Sequence, residues 1–246
     1  MKGVVLAGGT GSRLRPITFS MAKQLVPVAN KPILFYGLED LAEAGIEEVG
    51  IIIAPQTGDE IRRTVGNGDR FGLRIEYIVQ DEPLGLAHAL KTALPFVDGD
   101  DVLMYLGDNL VKQGVADVVR DFKSDRPNCQ ILLTKVDDPS QFGVAELGAA
   151  GEVVRLVEKP SSPRSDLALV GVYLFDNSVV EAVNSIQPSA RGELEISDAI
   201  QYLVTSGRDV RPSLVTGWWK DTGKKEDLLH ANELVLSDLV EDIQSE

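Results

Sequence analysis

The segment Lys2-Gly3-Val4-Val5-Leu6-Ala7-Gly8-Gly9-Thr10-Gly11-Ser12-Arg13-Leu14-Arg15-Pro16 constrains this chain more than any other. Its apolar run, Val4 to Ala7, shows no polar alternation, which predicts a strand buried on both faces inside a parallel sheet. The run then breaks into a loop containing Gly8, Gly9 and Gly11. Glycine tolerates positive φ and lets backbone N–H groups approach a ligand with no Cβ in the way. Successive N–H groups in such a turn form an anion-binding concavity. Arg13 and Arg15 follow at once and Lys23 a little later, so fixed positive charge gathers here. The segment predicts a phosphate site.

Two familiar phosphate loops do not fit. A P-loop needs G-x-x-x-x-G-K-[ST], and no lysine followed by Ser or Thr ends this loop. The dinucleotide fingerprint would fall on Gly9 to Leu14, placing a leucine where close helix packing wants Gly or Ala. It also needs an acid ending the second strand, yet Val49–Ala54 runs into Pro55-Gln56-Thr57.

Along the chain, apolar strands alternate with helical patterns, which predicts βαβ units and a mixed, mainly parallel sheet flanked by helices. Helices are expected from Lys31-Pro32 to Gly45 and over 59–65, 86–94, 195–206 and 226–240. Strands are expected at 49–54, 73–79, 102–106, 131–136, 167–175 and 210–215. Phe142–Leu147 and Val153–Glu158, around a turn-rich Gly148–Gly151, predict an antiparallel hairpin. With no repeat or linker, the expectation is one domain over 1–246, whose character changes from about Gln130.

Composition narrows the function classes. The net charge of −14 argues against nucleic acid or an anionic membrane as partner. No apolar run approaches the ~18 residues of a membrane span. The N-terminus enters a core strand directly, which predicts no signal peptide. One cysteine, Cys129, in an apolar run, fits a reducing cytoplasm. His88 and His230 are the only histidines, so no zinc cluster is expected, and His88 is read as structural.

Two acids follow apolar strands: Asp108 in Leu106-Gly107-Asp108-Asn109 and Asp221 in Trp219-Lys220-Asp221-Thr222. Ligands of open α/β sheets bind beyond the carboxyl ends of strands, so Asp108 can face the crevice of the glycine loop. Either acid can equally cap a turn or helix. Gln80, in Gln80-Asp81-Glu82-Pro83-Leu84-Gly85, offers a donor and an acceptor suited to the Watson–Crick edge of thymine or uracil, and Gly85 lets the chain pass close to a base. Glu158-Lys159 could hold sugar hydroxyls and a phosphate, or could be a surface pair.

The pattern L-A-G-G-x-G-x-R-L-x-P-x-T over Leu6–Thr18, followed by K-Q-L-x-P-V-x-N-K-P over Lys23–Pro32, resembles the sugar-1-phosphate nucleotidyltransferases. The resemblance implies a Rossmann-like fold and transfer of a thymidylyl group from dTTP to α-D-glucose 1-phosphate, releasing diphosphate. It implies Mg2+ on Asp108 and Asp221, with Arg13, Lys23 and Lys159 neutralising phosphates. It assigns Leu6, Gly8, Gly9, Thr10, Gly11, Ser12, Arg13, Lys23, Gln80, Pro83, Gly85 and Asp108 to the nucleotide. To the sugar phosphate it assigns Asn109, Gly143, Glu158, Lys159, Val170 and Tyr173, with Arg191-Gly192-Glu193-Leu194-Glu195-Ile196 in support, and it divides the domain into a nucleotide-binding part about 1–128 and a sugar-phosphate-binding part about 129–246. The variants resemble a branch that carries a C-terminal left-handed β-helix, and this chain stops where that extension would start. A uridylyl transfer and a non-catalytic sugar-nucleotide sensor are the competing functions, and a homo-oligomer is left open.

Overall fold

The computed structural model describes residues 1–244; Ser245 and Glu246, the end of the expected domain, lie outside the described residues. The strands are β1 (Lys2–Leu6), β2 (Pro27–Val28), β3 (Lys31–Pro32), β4 (Glu48–Ile53), β5 (Arg74–Val79), β6 (Val102–Leu106), β7 (Asn109–Val111), β8 (Cys129–Lys135), β9 (Gly143–Leu147), β10 (Val153–Glu158), β11 (Leu167–Phe175), β12 (Val210–Leu214) and β13 (Trp219–Asp221). The helices are α1 (Ile33–Glu43), α2 (Gly58–Val65), α3 (Leu86–Val97), α4 (Ala116–Asp125), α5 (Val179–Ser185), α6 (Ile196–Thr205) and α7 (Lys225–Gln244).

A nine-stranded sheet runs β10-β9-β11-β6-β1-β4-β5, with β8 also beside β11 and β12 beside β8. Strands β6, β1, β4 and β5 are parallel throughout. The long β11 is antiparallel to β6, β8 and β9, and so joins the two halves of the chain in one sheet. This is the mixed sheet with flanking helices that the sequence predicts.

Burial of β1 on both faces follows from its composition. Val4 and Leu6 pack with α3, α5 and α6 residues such as Leu90, Val183 and Ile200. Val5 and Ala7 pack on the other face with Leu34, Leu38, Leu41 and Phe122. Each fully buried side chain of this size contributes roughly 1.5–3 kcal/mol, so neither face of the central strand can turn to water. A third cluster joins Leu14, just past the glycine loop, to Leu110, Leu228 and Ala231. It holds the exit of the loop beneath α7.

Four helices depart from expectation. Lys31-Pro32 pairs as a two-residue strand with Pro27–Val28, and α1 starts at Ile33. Helix α3 continues past Leu94 to Val97, through Pro95. Pro95 is exposed, so the Lys91 carbonyl it cannot bond can be hydrated. Helices α4 and α5 carry weak signals: α4 is rich in Asp, Arg and Lys and buries only Val118, Val119 and Phe122.

Candidate active site

The glycine loop leaves β1 where the ladder ends, with Ala7 N donating to Ile52 O at 2.8 Å. Beyond it, among the described residues, the N–H groups of Gly8, Gly9, Thr10 and Gly11 donate to no protein acceptor. Gly9 and Thr10 are exposed, and four successive free donors at a strand end offer a concavity suited to an anion. Gly11 has φ 63°, and a Cβ there would stand 2.8 Å from Thr18 Cγ2 and 2.9 Å from Lys23 Cβ. Thr18 Oγ1 donates to Gly11 O at 2.7 Å, which fixes the turn. Thr10, Ser12 and Arg13 are exposed on its rim.

The two acids meet at the foot of this loop. Asp108 follows β6, and the β7–β13 ribbon pairs Asn109 with Asp221. Thr222 locks the junction, donating from N and Oγ1 to Asp108 O at 3.0 and 2.7 Å. The Asp108 carboxylate pairs with Lys23 Nζ and accepts from Asn109 Nδ2 at 3.0 Å. Burial pushes Asp108 up, but Lys23 and these hydrogen bonds outweigh it and hold the carboxyl below the usual range. Asp221 moves the other way, to about 6, through burial and the facing Asp108 charge. Its Oδ1 is buried with no hydrogen-bond partner. A hard divalent cation takes oxygen ligands, often one or two carboxylates completed by substrate phosphates. An unsatisfied carboxylate oxygen beside a second carboxylate fits such an ion.

A cavity of about 240 Å3 opens on one side of the acids, lined by Leu6, Gly8, Gly9, Gln80, Pro83, Gly85 and Asp108, with Gln24 and Glu193. On the other side a cavity of about 650 Å3 is lined by Arg13, Lys159, Asp221, Trp219 and Lys224, among others. A larger groove of about 830 Å3, from Val136 to Leu167, holds none of the expected residues and is open to solvent. The expected residues, not volume, mark the site.

Several residues take a different part from the one expected. Gln80 Nε2 lies 2.8 Å from His88 Nδ1 and 3.4 Å from Gly85 O, so its donor is engaged inside the protein, with His88 behind it. Gly85, at φ 108°, is tight against the Leu194 backbone, where a Cβ would collide. Its lack of a side chain therefore serves packing as well as the cavity. Asn109 is buried and used by the fold: besides Asp108, its Oδ1 accepts from Trp219 Nε1 at 2.7 Å and Gly171 N at 3.3 Å. Val170 sends its side chain into the core with Val5 and Leu34 rather than to the cleft.

The residues expected at the sugar phosphate form a charged network. Gly143 pairs with Glu158 across the β9–β10 hairpin, and a Cβ on it would meet Glu158 Oε2 at 3.1 Å. Glu158 lies 3.6 Å from Lys159 Nζ, 3.4 Å from Arg191 Nη1 and 3.3 Å from Ser197 Oγ. Arg191 also reaches Glu193 and Glu195, each at 3.3 Å. Burial, then the neighbouring carboxylates, raises Glu195 above the usual range despite Ser189 and Arg191. Tyr173 is buried beside this network, its hydroxyl pKa raised by burial and by Glu158.

The sequence motifs assign Arg191 and Glu195 only a supporting part and give no role to Gln24, Ser197 or Trp219. Gln24 is buried with its Oε1 unpartnered, and its Nε2 is 3.3 Å from where a Gly9 Cβ would stand. The Lys23-Gln24 pair in the Lys23–Pro32 motif is the available signal. Ser197 has none, because only the fold brings α6 against the hairpin.

Known proteins resemble this chain over nearly its whole length. A glucose-1-phosphate thymidylyltransferase of Streptomyces griseus is 58% identical over 96% of this chain and 66% of its own length. The low-salt glycan biosynthesis nucleotidyltransferase of Haloferax volcanii is 54% identical over 97% of this chain and 67% of its own length. The chain thus spans about two thirds of the length of these curated relatives. A crystal structure from Bacillus anthracis, assigned as a glucose-1-phosphate thymidylyltransferase and holding sucrose, superposes with a TM-score of 0.89 at 37% identity, covering 95% of this chain and 94% of that one. The nucleotidyl transferase profile matches residues 2–238, and with that match over nearly its whole length the chain belongs to the nucleotidyl transferase family.

Proposed function

We propose that this chain transfers a thymidylyl group from dTTP to α-D-glucose 1-phosphate, giving dTDP-glucose and diphosphate. The observation that carries the reading is the buried Asp108–Asp221 pair, with its unsatisfied oxygen, at the foot of the free N–H groups of Gly8–Gly11. The names of the similar proteins from Streptomyces and Bacillus support the same reaction.

In this reading the triphosphate lies along the N–H cradle with Arg13 at its outer end, and the base enters the cavity beside Gln80. The sugar phosphate approaches from the Lys159 and Arg191 side. One of its oxygens, already anionic near neutral pH, attacks the α-phosphorus; the bond to the diphosphate breaks, and the diphosphate leaves with the electron pair. No general base or protein nucleophile is needed. The protein aligns two polyanions and offsets the charge that builds on the leaving group. Lys23, now paired with Asp108, is the cation placed to follow charge toward the α-phosphate.

Asp108 and Asp221 would hold Mg2+, which when bound supplies Lewis-acid polarisation of a phosphoryl oxygen. No group of three or more His, Cys, Asp or Glu side chains is placed to hold a metal among the described residues. Substrate oxygens and water would complete the shell, as Mg2+ commonly requires. The reading takes the chain as one nucleotidyltransferase domain, supported by the β6–β11 pairing that joins its halves. A cytoplasmic setting matches the buried free Cys129. No described helix is long and apolar enough to cross a membrane.

The test is diphosphate release from purified protein with Mg2+, over dTTP, UTP, dCTP, dATP and GTP and several sugar 1-phosphates. Turnover highest with dTTP and glucose 1-phosphate is expected. Highest turnover with UTP would make the chain a uridylyltransferase, and nucleotide binding without release under any pairing would make it a sensor.

A further inference from the structure

Gln80 ends the ladder beside β4, its N donating to Ile53 O at 2.9 Å, so its backbone is fixed and only the side chain can turn. Which way the amide faces decides what a base would meet. A carbonyl can only accept, so the amide atom directed at Gly85 O, 3.4 Å away, is the nitrogen. The same nitrogen lies 2.8 Å from His88 Nδ1. Facing an N–H, that ring atom must be the acceptor, and the imidazole proton then resides on Nε2.

With both hydrogens of Nε2 directed at protein acceptors, the free atom is Oε1. It points across the cavity, 3.7 Å from where a Cβ on Gly8 would stand. A base entering beside Leu6 and Gly8 would therefore meet an acceptor alone. Thymine and uracil present N3–H, which satisfies it; cytosine presents a bare N3 lone pair, which opposes it. Without His88 the amide could turn, show its nitrogen to the cavity and accept cytosine.

We propose that His88 is a specificity-determining positioning residue, whose Nδ1 lone pair holds the Gln80 amide so that its oxygen reads the N3–H of the base. The inference rests on the 240 Å3 cavity being the base pocket of the proposed reaction. It assigns discrimination to a residue that never touches the nucleotide.

The test uses kcat/KM for dTTP, dUTP and dCTP at saturating glucose 1-phosphate in wild type, H88F, H88N and Q80A. H88F keeps a planar ring and removes the lone pair; H88N restores an acceptor at the position of Nδ1. The dTTP/dCTP ratio should fall at least about 10-fold in H88F, from the value of one unsatisfied polar contact. It should return to within about threefold of wild type in H88N by the same measure. The dTTP/dUTP ratio and the KM for glucose 1-phosphate should not move, because both bases carry N3–H and the sugar end is untouched. A dTTP/dCTP ratio unchanged in H88F, while Q80A collapses it, overturns the role of His88 and leaves the base pocket standing. A ratio unchanged in Q80A as well removes the base pocket itself. If H88F does not fold, as judged by circular dichroism, H88L takes its place under the same criteria.

Discussion

At the end of the cleft proposed for the nucleotide the groups free to meet an anion are main-chain N–H groups, those of Gly8 to Gly11. At the end proposed for the sugar phosphate they are side chains, and Glu158 and Arg191 come from positions 33 residues apart. The first arrangement needs one short segment, a strand end and glycine, and it carries no net charge to desolvate. The second gathers Lys159 and Arg191 against Glu158, Glu193 and Glu195, so each member holds its place only while the others are present. Main-chain recognition tolerates side-chain change on its rim, whereas a side-chain network transmits it. Between the two ends lie Asp108 and Asp221, which both depend on.

The largest expected effect is at that junction. Asp108→Asn and Asp221→Asn should each lower kcat by about 10³ or more, beyond the loss of a single transition-state donor, measured by diphosphate release at saturating Mg2+. Their stabilities should diverge. Asp108→Asn strands the buried Lys23 ammonium and should lower Tm. Asp221→Asn removes a buried charge that already resists ionising, and should leave Tm unchanged or raised at pH 8. Near-normal turnover in either variant would take that residue out of the site.

Arg13→Ala tests whether the nucleotide end works through N–H groups alone. Loss of one charge-stabilising donor typically lowers kcat by about 10²–10³, and the KM for glucose 1-phosphate should stay within a few-fold. A variant with unchanged kcat would show that the backbone cradle suffices.

Arg191→Ala probes the other end. Losing hydrogen bonds to a charged group costs about 1.5–3 kcal/mol, so the KM for the sugar phosphate should rise about 10- to 100-fold, with the KM for dTTP little changed. A rise in the dTTP value of equal size would mean that the two ends are coupled. The coupling has a route: Leu194 N donates to Leu84 O at 2.8 Å and Ala87 N to Leu194 O at 3.0 Å, tying the Arg191 segment to the Gln80 loop.

The smallest effect concerns the support beneath the acids. Tyr105, fully buried below Asp108, donates to Asp40 Oδ2 at 2.9 Å. Burial raises Asp40 to about 7, with Glu43 and Glu39 adding to it and the Tyr105 hydrogen bond and Lys31 opposing. A folded-state pKa above the unfolded one, about 3.9, means that the folded form binds the proton more tightly. The Asp40 penalty therefore builds as pH rises from about 4 to about 7 and is constant above that. Asp40→Asn should then stabilise by on the order of 1–3 kcal/mol at pH 8, where a shift of one pKa unit is 1.36 kcal/mol before screening, and by about a third as much at pH 5. Melts at the two pH values measure this; equal shifts at both would assign the effect to packing instead of charge.

The sequence by itself determined the parts whose physics is local. The run Val4–Ala7 could only be a doubly buried strand, and Gly8, Gly9 and Gly11 permitted a turn with free N–H groups. Asp108 was legible because it follows the apolar strand β6, where an open sheet places its ligands. Asp221 ends β13 in the separate β7–β13 ribbon, and its pairing with Asn109 there is what brings it to Asp108. The weakly patterned α4 and α5 were not legible, since three or so buried residues in a short charged segment give little periodicity to read. Tertiary structure alone decided the orientation of Gln80 against His88, the saturation of Asn109 by Trp219 and Gly171, the inward turn of Val170, and the arrival of Ser197 and Arg191 beside Glu158. In each case the role of a polar or apolar group is set by the partner that reaches it from a distant part of the chain. A hydrogen bond or a buried contact belongs to two residues, and the sequence displays them one at a time.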